Sequence, residues 1–139
     1  MQLILFDDHS WENLLPLTFT RPAADLRVGI FTIYKKWSRF LDSSPSHLTR
    51  GHLSGKFILR EGEDNLLING TLLPEKKIIG ALKALQKGAS LKKGDTLLGV
   101  RTGKGLPDFK PEEHLAAAAE YEGEVSLIDF PWKIFSLNG

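Results

Sequence analysis

The segment from Leu14 to Gly29 gathers residues that suit phosphate chemistry. Arg21 and Arg27 lie in it with Thr18 and Thr20, around Pro16 and Pro22. A guanidinium fork matches the paired oxygens of a phosphate, and a cluster of two neutralises polyanionic charge. Threonine hydroxyls add donors. The same arginines would serve equally as partners of Asp7, Asp8 or Asp25 on a solvated loop, and spacing alone does not choose. Asp7 and Asp8 directly follow the apolar run Leu3-Ile4-Leu5-Phe6. Paired acids there hold a magnesium ion through water, or simply cap a turn. Gly99-Val100-Arg101-Thr102-Gly103-Lys104-Gly105 looks superficially like a phosphate loop. It has one residue too few between Gly99 and Gly103, and no Ser or Thr follows Lys104. It therefore reads as a strand end and a turn, with Arg101 and Lys104 as contacts for phosphate or sugar. His9, His47, His52 and His114 show no metal-ligand spacing and read as surface residues. No nucleophile-elbow pattern is present.

These residues need elements to position them. Gln2 to Phe6 has the length and composition of a buried strand. Ile30, Ile33, Tyr34, Trp37 and Leu41 recur at helical spacing and predict a helix over 29–41, stopped by Asp42-Ser43-Ser44-Pro45. Segments 46–49 and 57–59 are expected to be short strands. Leu66-Leu67-Ile68 predicts a strand that ends at the turn Asn69-Gly70. A second helix begins near Pro74 and ends near Lys87-Gly88, with Ile78, Ala81, Leu82 and Leu85 on its apolar face. A strand over 96–100, a helix from Pro111 through Ala119 and a strand over 124–128 complete the order. Alternating strands and helices argue for an α/β fold with parallel strands. The carboxyl ends of such strands are where ligands bind, which is where Asp7, Asp8, Asn69 and Gly70 fall.

Composition narrows the function classes. The chain has 139 residues, 42% of them hydrophobic and 25% charged. That suits one compact domain. Lys and Arg number 18 against 17 Asp and Glu, a formal charge of +1. The near balance argues against a nucleic-acid-binding stripe and against an acidic tail. With no cysteine, disulfides and thiolate chemistry are excluded. No apolar run approaches a membrane span, and the start of the chain lacks the basic region of a secretory signal. A cytoplasmic location is the expectation. The last residues, Phe130, Trp132, Ile134, Phe135 and Leu137 among them, are unusually apolar for a terminus. They would pack on the domain or lead into further chain.

Leu15-Pro16-Leu17-Thr18-Phe19-Thr20-Arg21-Pro22, followed by Leu26, Val28 and a helix, resembles the signature block of the sugar-nucleotide pyrophosphorylases. Asn65 to Pro74 resembles their later strand ending in a Gly-Asp pair. The pattern as a whole is similar to a divergent bacterial group related to the bifunctional UDP-N-acetylglucosamine pyrophosphorylase and glucosamine-1-phosphate N-acetyltransferase. In that group Phe6-Asp7-Asp8, the block from Leu14 to Gly29, Leu67 to Pro74 and Trp132 to Asn138 recur in similar form. The resemblance implies a Rossmann-like nucleotidyltransferase fold, an αβα sandwich with a mostly parallel sheet, incomplete in this chain. Residues 1–139 would be the N-terminal portion of that domain and inactive alone, with a left-handed β-helix acyltransferase domain further on. It also implies synthesis of an NDP-sugar and pyrophosphate from a nucleoside triphosphate and a hexose 1-phosphate, supplying cell-envelope precursors. Arg21 and Arg27 would be catalytic. Asp7, Asp8, Thr18, Asn69, Gly70 and Arg101 would face nucleotide or sugar, and Asp8 would assist Mg²⁺. The full-length protein would be a homo-oligomer, with no nucleic-acid or membrane partner. This chain departs from the pattern at three points. Asp7 to Asn13 stands where a glycine-rich loop is expected, Ala23 replaces a lysine, and Thr71 replaces a metal-binding aspartate. Such machinery works by positioning and charge neutralisation. The departures therefore leave a non-catalytic sugar-nucleotide-binding or scaffold domain as the alternative.

Overall fold

The computed structural model describes residues 2–8, 12, 14–15, 18, 22–28, 31–42, 44–49, 59–60, 62–103 and 110–128. The elements are β1 (Gln2–Phe6), a 3-10 turn (Ala23–Asp25), β2 (Arg27–Val28), β3 (Phe31–Thr32) and α1 (Ile33–Leu41). Then follow β4 (Ser46–Leu48), β5 (Asn65–Asn69), α2 (Lys76–Lys83), β6 (Ser90–Lys93), β7 (Thr96–Thr102), α3 (Pro111–Leu115) and β8 (Ala119–Glu120). The main sheet has six strands in the order β4-β1-β5-β7-β6-β8. β1 runs parallel to both β4 and β5, and β6 runs parallel to β8. β7 is antiparallel to both its neighbours, β5 and β6. All the other strands of this sheet therefore share one direction, and their carboxyl ends lie along a common edge.

Alternation along the strands divides the core. Leu5, Leu66, Ile68 and Leu98 point to one face, where Ile33 and Trp37 of α1 and Ile78 and Leu82 of α2 cover them. Ile4, Phe6, Leu67, Leu97 and Val100 point to the other, beneath Leu115 and Ala118. Strand side chains alternate sides, so a strand with both neighbours apolar demands cover on both faces. β5 is buried at every position. The outcome is a sheet between two helical layers, a Rossmann-like αβα arrangement with a mostly parallel sheet.

Several boundaries differ from the sequence-based expectation. α1 starts at Ile33, because Phe31 and Thr32 pair with β2 in a small antiparallel ribbon. Thr32 then caps the helix, its hydroxyl accepting from the Lys35 N–H at 3.0 Å. The helix of 111–119 stops at Leu115, and Ala119–Glu120 pairs with β6 instead. Tertiary pairing there overrides the helix propensity of alanine. α2 ends at Lys83, short of Lys87-Gly88. Residues 124–128 form no strand of the sheet. A single antiparallel bridge joins Leu127 to Leu72, with the Leu73 N–H donating to the Ser126 carbonyl at 2.9 Å. β6 has no counterpart in the expectation, and it makes an antiparallel hairpin with β7. Of the expected strand over 57–59, residues 57 and 58 lie outside the described residues, as does the apolar tail from Asp129 to Gly139. Among the described residues, no helix is long and apolar enough to cross a membrane.

Candidate functional site at the carboxyl edge of the sheet

β1 and β5 end side by side, with Phe6 paired to Asn69. Just beyond them the Asp7 N–H donates to the Leu48 carbonyl at 3.0 Å, and the Gly70 N–H to the Phe6 carbonyl at 2.8 Å. The chain thus carries Asp7, Asp8, Asn69, Gly70 and Thr71 to one place on this edge.

Each acid there has a different task. Both oxygens of Asp7 are spent on protein. Oδ1 accepts from the Ala23 N–H at 3.0 Å and Oδ2 from the Thr49 hydroxyl. Asp7 therefore ties the ends of β1 and β4 to the 3-10 turn, next to Pro22. Asp8 is buried, and its Oδ2 accepts from the Asn69 amide at 2.9 Å. The same amide nitrogen donates to the Leu97 carbonyl at 2.9 Å. Asn69 Oδ1 in turn accepts from both the N–H of Thr71, at 2.9 Å, and its hydroxyl, at 2.7 Å. Asn69 thus joins β1, β5 and the start of β7 through one side chain. A buried polar network of this kind holds a single geometry only when its members are satisfied.

Gly70 permits a close approach. A Cβ there would lie 3.2 Å from the Phe6 carbonyl and 3.3 Å from the Ala24 Cβ. The 3-10 turn, with Ala23 and Ala24 fully buried, consequently sits directly on the end of β5. Thr18 is also fully buried, which places its hydroxyl inside the protein.

The structure does not bring every expected residue to this edge. Arg101 pairs with Leu66, near the start of β5, and so lies toward the opposite edge. Its guanidinium forms a bidentate ion pair with Asp64, at 3.1 and 2.7 Å, and donates to the Leu85 carbonyl at 2.9 Å. That pairing holds the Asp64 carboxyl below its ordinary pKa and the Arg101 guanidinium above its own. Lys104 and Arg21 lie outside the described residues, and for Arg27 the description covers the backbone of β2 only. Among the expected surface histidines, His47 is half-buried and stacks on Tyr34, the ring centroids 4.9 Å apart.

Sequence reasoning did not foresee Thr49, the Ala23 N–H or the Leu97 carbonyl as partners. The last two are backbone groups and carry no side-chain signal. Thr49 is placed by the pairing of β4 beside β1, which no local pattern announces.

Magnesium is implied by the family resemblance. Among the described residues, no group of three or more His, Asp or Glu gathers as a metal cage. Mg²⁺ needs no such cage, since it takes one or two carboxylates and completes its shell with water and phosphate oxygens. The resemblance assigns that role to Asp8, a buried carboxylate oriented by Asn69. Asp7 does not fit it, because both its oxygens are engaged. Thr71 does not either, because its hydroxyl is turned into the Asn69 amide.

A family model described as sugar nucleotidyl transferase matches residues 3–139. The chain belongs to that family. The match spans every element described above, from β1 to β8, and it agrees with the Rossmann-like sheet whose carboxyl edge carries the Asp7–Asn69 cluster. A search of curated proteins returns no significant match.

Proposed function

We propose that this sugar nucleotidyl transferase is of the pyrophosphorylase type. It would join a nucleoside triphosphate to a hexose 1-phosphate, with UDP-N-acetylglucosamine as the product its resemblance favours. The observation that supports this reading is the meeting of Asp8, Asn69 and Gly70 at the carboxyl edge, beside the 3-10 turn that follows Arg21-Pro22. In the reaction, an oxygen of the sugar phosphate attacks the α-phosphorus in line, and pyrophosphate leaves with the electrons of the broken P–O bond. Such catalysis consists mostly of holding the reactants and offsetting charge. Asp7 keeps the 3-10 turn against the edge. Asn69 orients Asp8. Arg21 and Arg27 extend from the same stretch of chain and supply positive charge to the triphosphate. Mg²⁺, when bound at Asp8, would neutralise phosphate oxygens.

The test is pyrophosphate release by the full-length protein with UTP and N-acetylglucosamine 1-phosphate, together with UTP binding by calorimetry. Turnover is expected, with binding abolished in Arg21→Ala. Unchanged affinity in that variant would remove Arg21 from the site. One observation favours a second reading, a domain that binds a sugar nucleotide without turning it over. Thr71 stands where the family resemblance places a metal-binding aspartate, and both its donors are committed to Asn69. Measurable binding with no turnover of any common triphosphate would establish that reading instead.

A further inference from the structure

α1 presents an open concavity of about 300 Å³ that shares no residue with the carboxyl-edge cluster. It is lined by Phe31, Lys36, Arg39 and Phe40. Lys36, Arg39 and Phe40 fall three and four residues apart, so they share one face of the helix. Phe40 is half exposed. The Arg39 guanidinium lies over the Phe31 ring, 4.7 Å from its centroid. A cation held over a ring has already lost much of its rotamer freedom, while its N–H groups remain able to donate. Among the described residues, no carboxylate pairs with Lys36 or Arg39.

Two cations with no carboxylate partner among the described residues, beside an open aromatic ring, select for a particular chemistry. An anion alone would leave Phe40 in water. An apolar ring alone would leave the two cations unmatched. We propose that this concavity binds a small phosphate monoester of a planar ring, with the ring against Phe40 and the phosphate between Lys36 and Arg39. The volume lies at the lower end of small-molecule sites, which suits one ring and one phosphate. The inference does not depend on the catalytic reading, since neither set of residues contributes to the other.

The experiment is an amide NMR titration of the chain with phenyl phosphate, compared with inorganic phosphate and with benzyl alcohol. Phenyl phosphate is expected to saturate in about the millimolar range. The shifts should centre on Phe31, Lys36, Arg39 and Phe40. Each half-ligand should bind at least about tenfold more weakly. Arg39→Ala and Phe40→Ala should each weaken phenyl phosphate by about tenfold, the scale of one charge-assisted contact or one ring contact. Arg39→Lys, which keeps the charge and loses the fork, should fall between. Equal binding of inorganic phosphate and phenyl phosphate would overturn the proposal. So would shifts centred on Asp8 and Asn69, or unchanged affinity in both alanine variants.

Discussion

Asn69 is the residue on which the carboxyl edge turns, because one planar amide serves a carboxylate, a strand carbonyl and a threonine. Its environment makes a sharp prediction for Asn69→Asp. The new carboxylate would face Asp8 at the distance of a hydrogen bond, 2.9 Å in the parent, and would lose the amide donor. Two carboxylates so placed share a proton, so one folded-state pKa rises well above the unfolded value of about 3.9. A raised carboxyl pKa means that the folded form retains a proton that the unfolded form releases. Stability relative to the parent is therefore preserved in acid and lost as pH rises through the raised value. Urea denaturation at pH 4 and pH 7 should show a much larger deficit at pH 7. Equal deficits at both pH values would show that Asp8 and residue 69 do not interact as described. Asn69→Ala should be destabilised at either pH, since it removes one donor from the Asp8 carboxylate and one from the Leu97 carbonyl, each lost hydrogen bond costing about 0.5–3 kcal/mol. At this scale part of the carboxyl-edge cluster was legible in the sequence. Asp7, Asp8, Asn69 and Gly70 were legible because acids and an Asn-Gly turn after apolar runs mark strand ends. Their division of labour was not, since it depends on which neighbours the strands bring: Thr49 and the Ala23 N–H for Asp7, Asn69 for Asp8. The position of Arg101 was not legible either. Knowing that β7 reverses direction would have sent its end to the opposite edge.

At the scale of elements, α2 is seated on the sheet through a missing side chain. Gly99 lies in the middle of β7, and a Cβ there would overlap Leu82 Cδ2 and stand 3.1 Å from the Leu67 carbonyl. Leu82 is fully buried and has little room to yield. Gly99→Ala is expected to cost about 1–3 kcal/mol through overpacking, read as a lower urea midpoint with unchanged slope. The same substitution in a Leu82→Ala background should cost less, since contacting sites are not additive. An undiminished cost there would place the conflict at the carbonyl rather than at the helix. The β6–β7 pairing also carries an irregularity. Leu91 pairs with Gly99 and Lys92 with Leu97, so Leu98 is passed over and the ladder shifts. This explains why β6 escaped the sequence reading. Its residues, Ser90-Leu91-Lys92-Lys93, show neither an apolar run nor clean alternation, and the strand forms because β7 offers it a partner. Where a helix or strand had its own signal, as in β1, β5 and the Trp37 face of α1, the sequence reading and the structure agree. Where an element is held by its pairing rather than by a pattern of its own, as in β2, β3, β6 and β8, local sequence was insufficient.

Over the whole molecule, the β4 side of the sheet couples folding to pH through His47. This ring belongs to β4, pairs through its backbone with Leu5 of β1, and stacks on Tyr34 of α1. Burial pushes its pKa below the ordinary 6.5, Arg60 pushes in the same direction, and Asp25 opposes them. The unfolded chain therefore takes up a proton at a pH where the folded chain stays neutral. As pH falls below about 6.5, protonation favours unfolding, and stability declines until the pH reaches the lowered folded value, where the loss levels off. The ion pair of Asp64 with Arg101 toward the far edge responds in a different window. Its contribution is complete above the ordinary carboxyl value of 3.8 and is lost as pH falls through the depressed folded value. Both partners are substantially exposed, so salt screens it. Urea midpoints measured between pH 7.5 and pH 4.5 should thus fall with acid in the parent and hold nearly level in His47→Phe, which keeps a ring against Tyr34 but cannot titrate. An equal slope in both proteins would mean that the acid sensitivity arises elsewhere. A slope that disappears in high salt would point to exposed ion pairs, because desolvation of a buried ring is not screened.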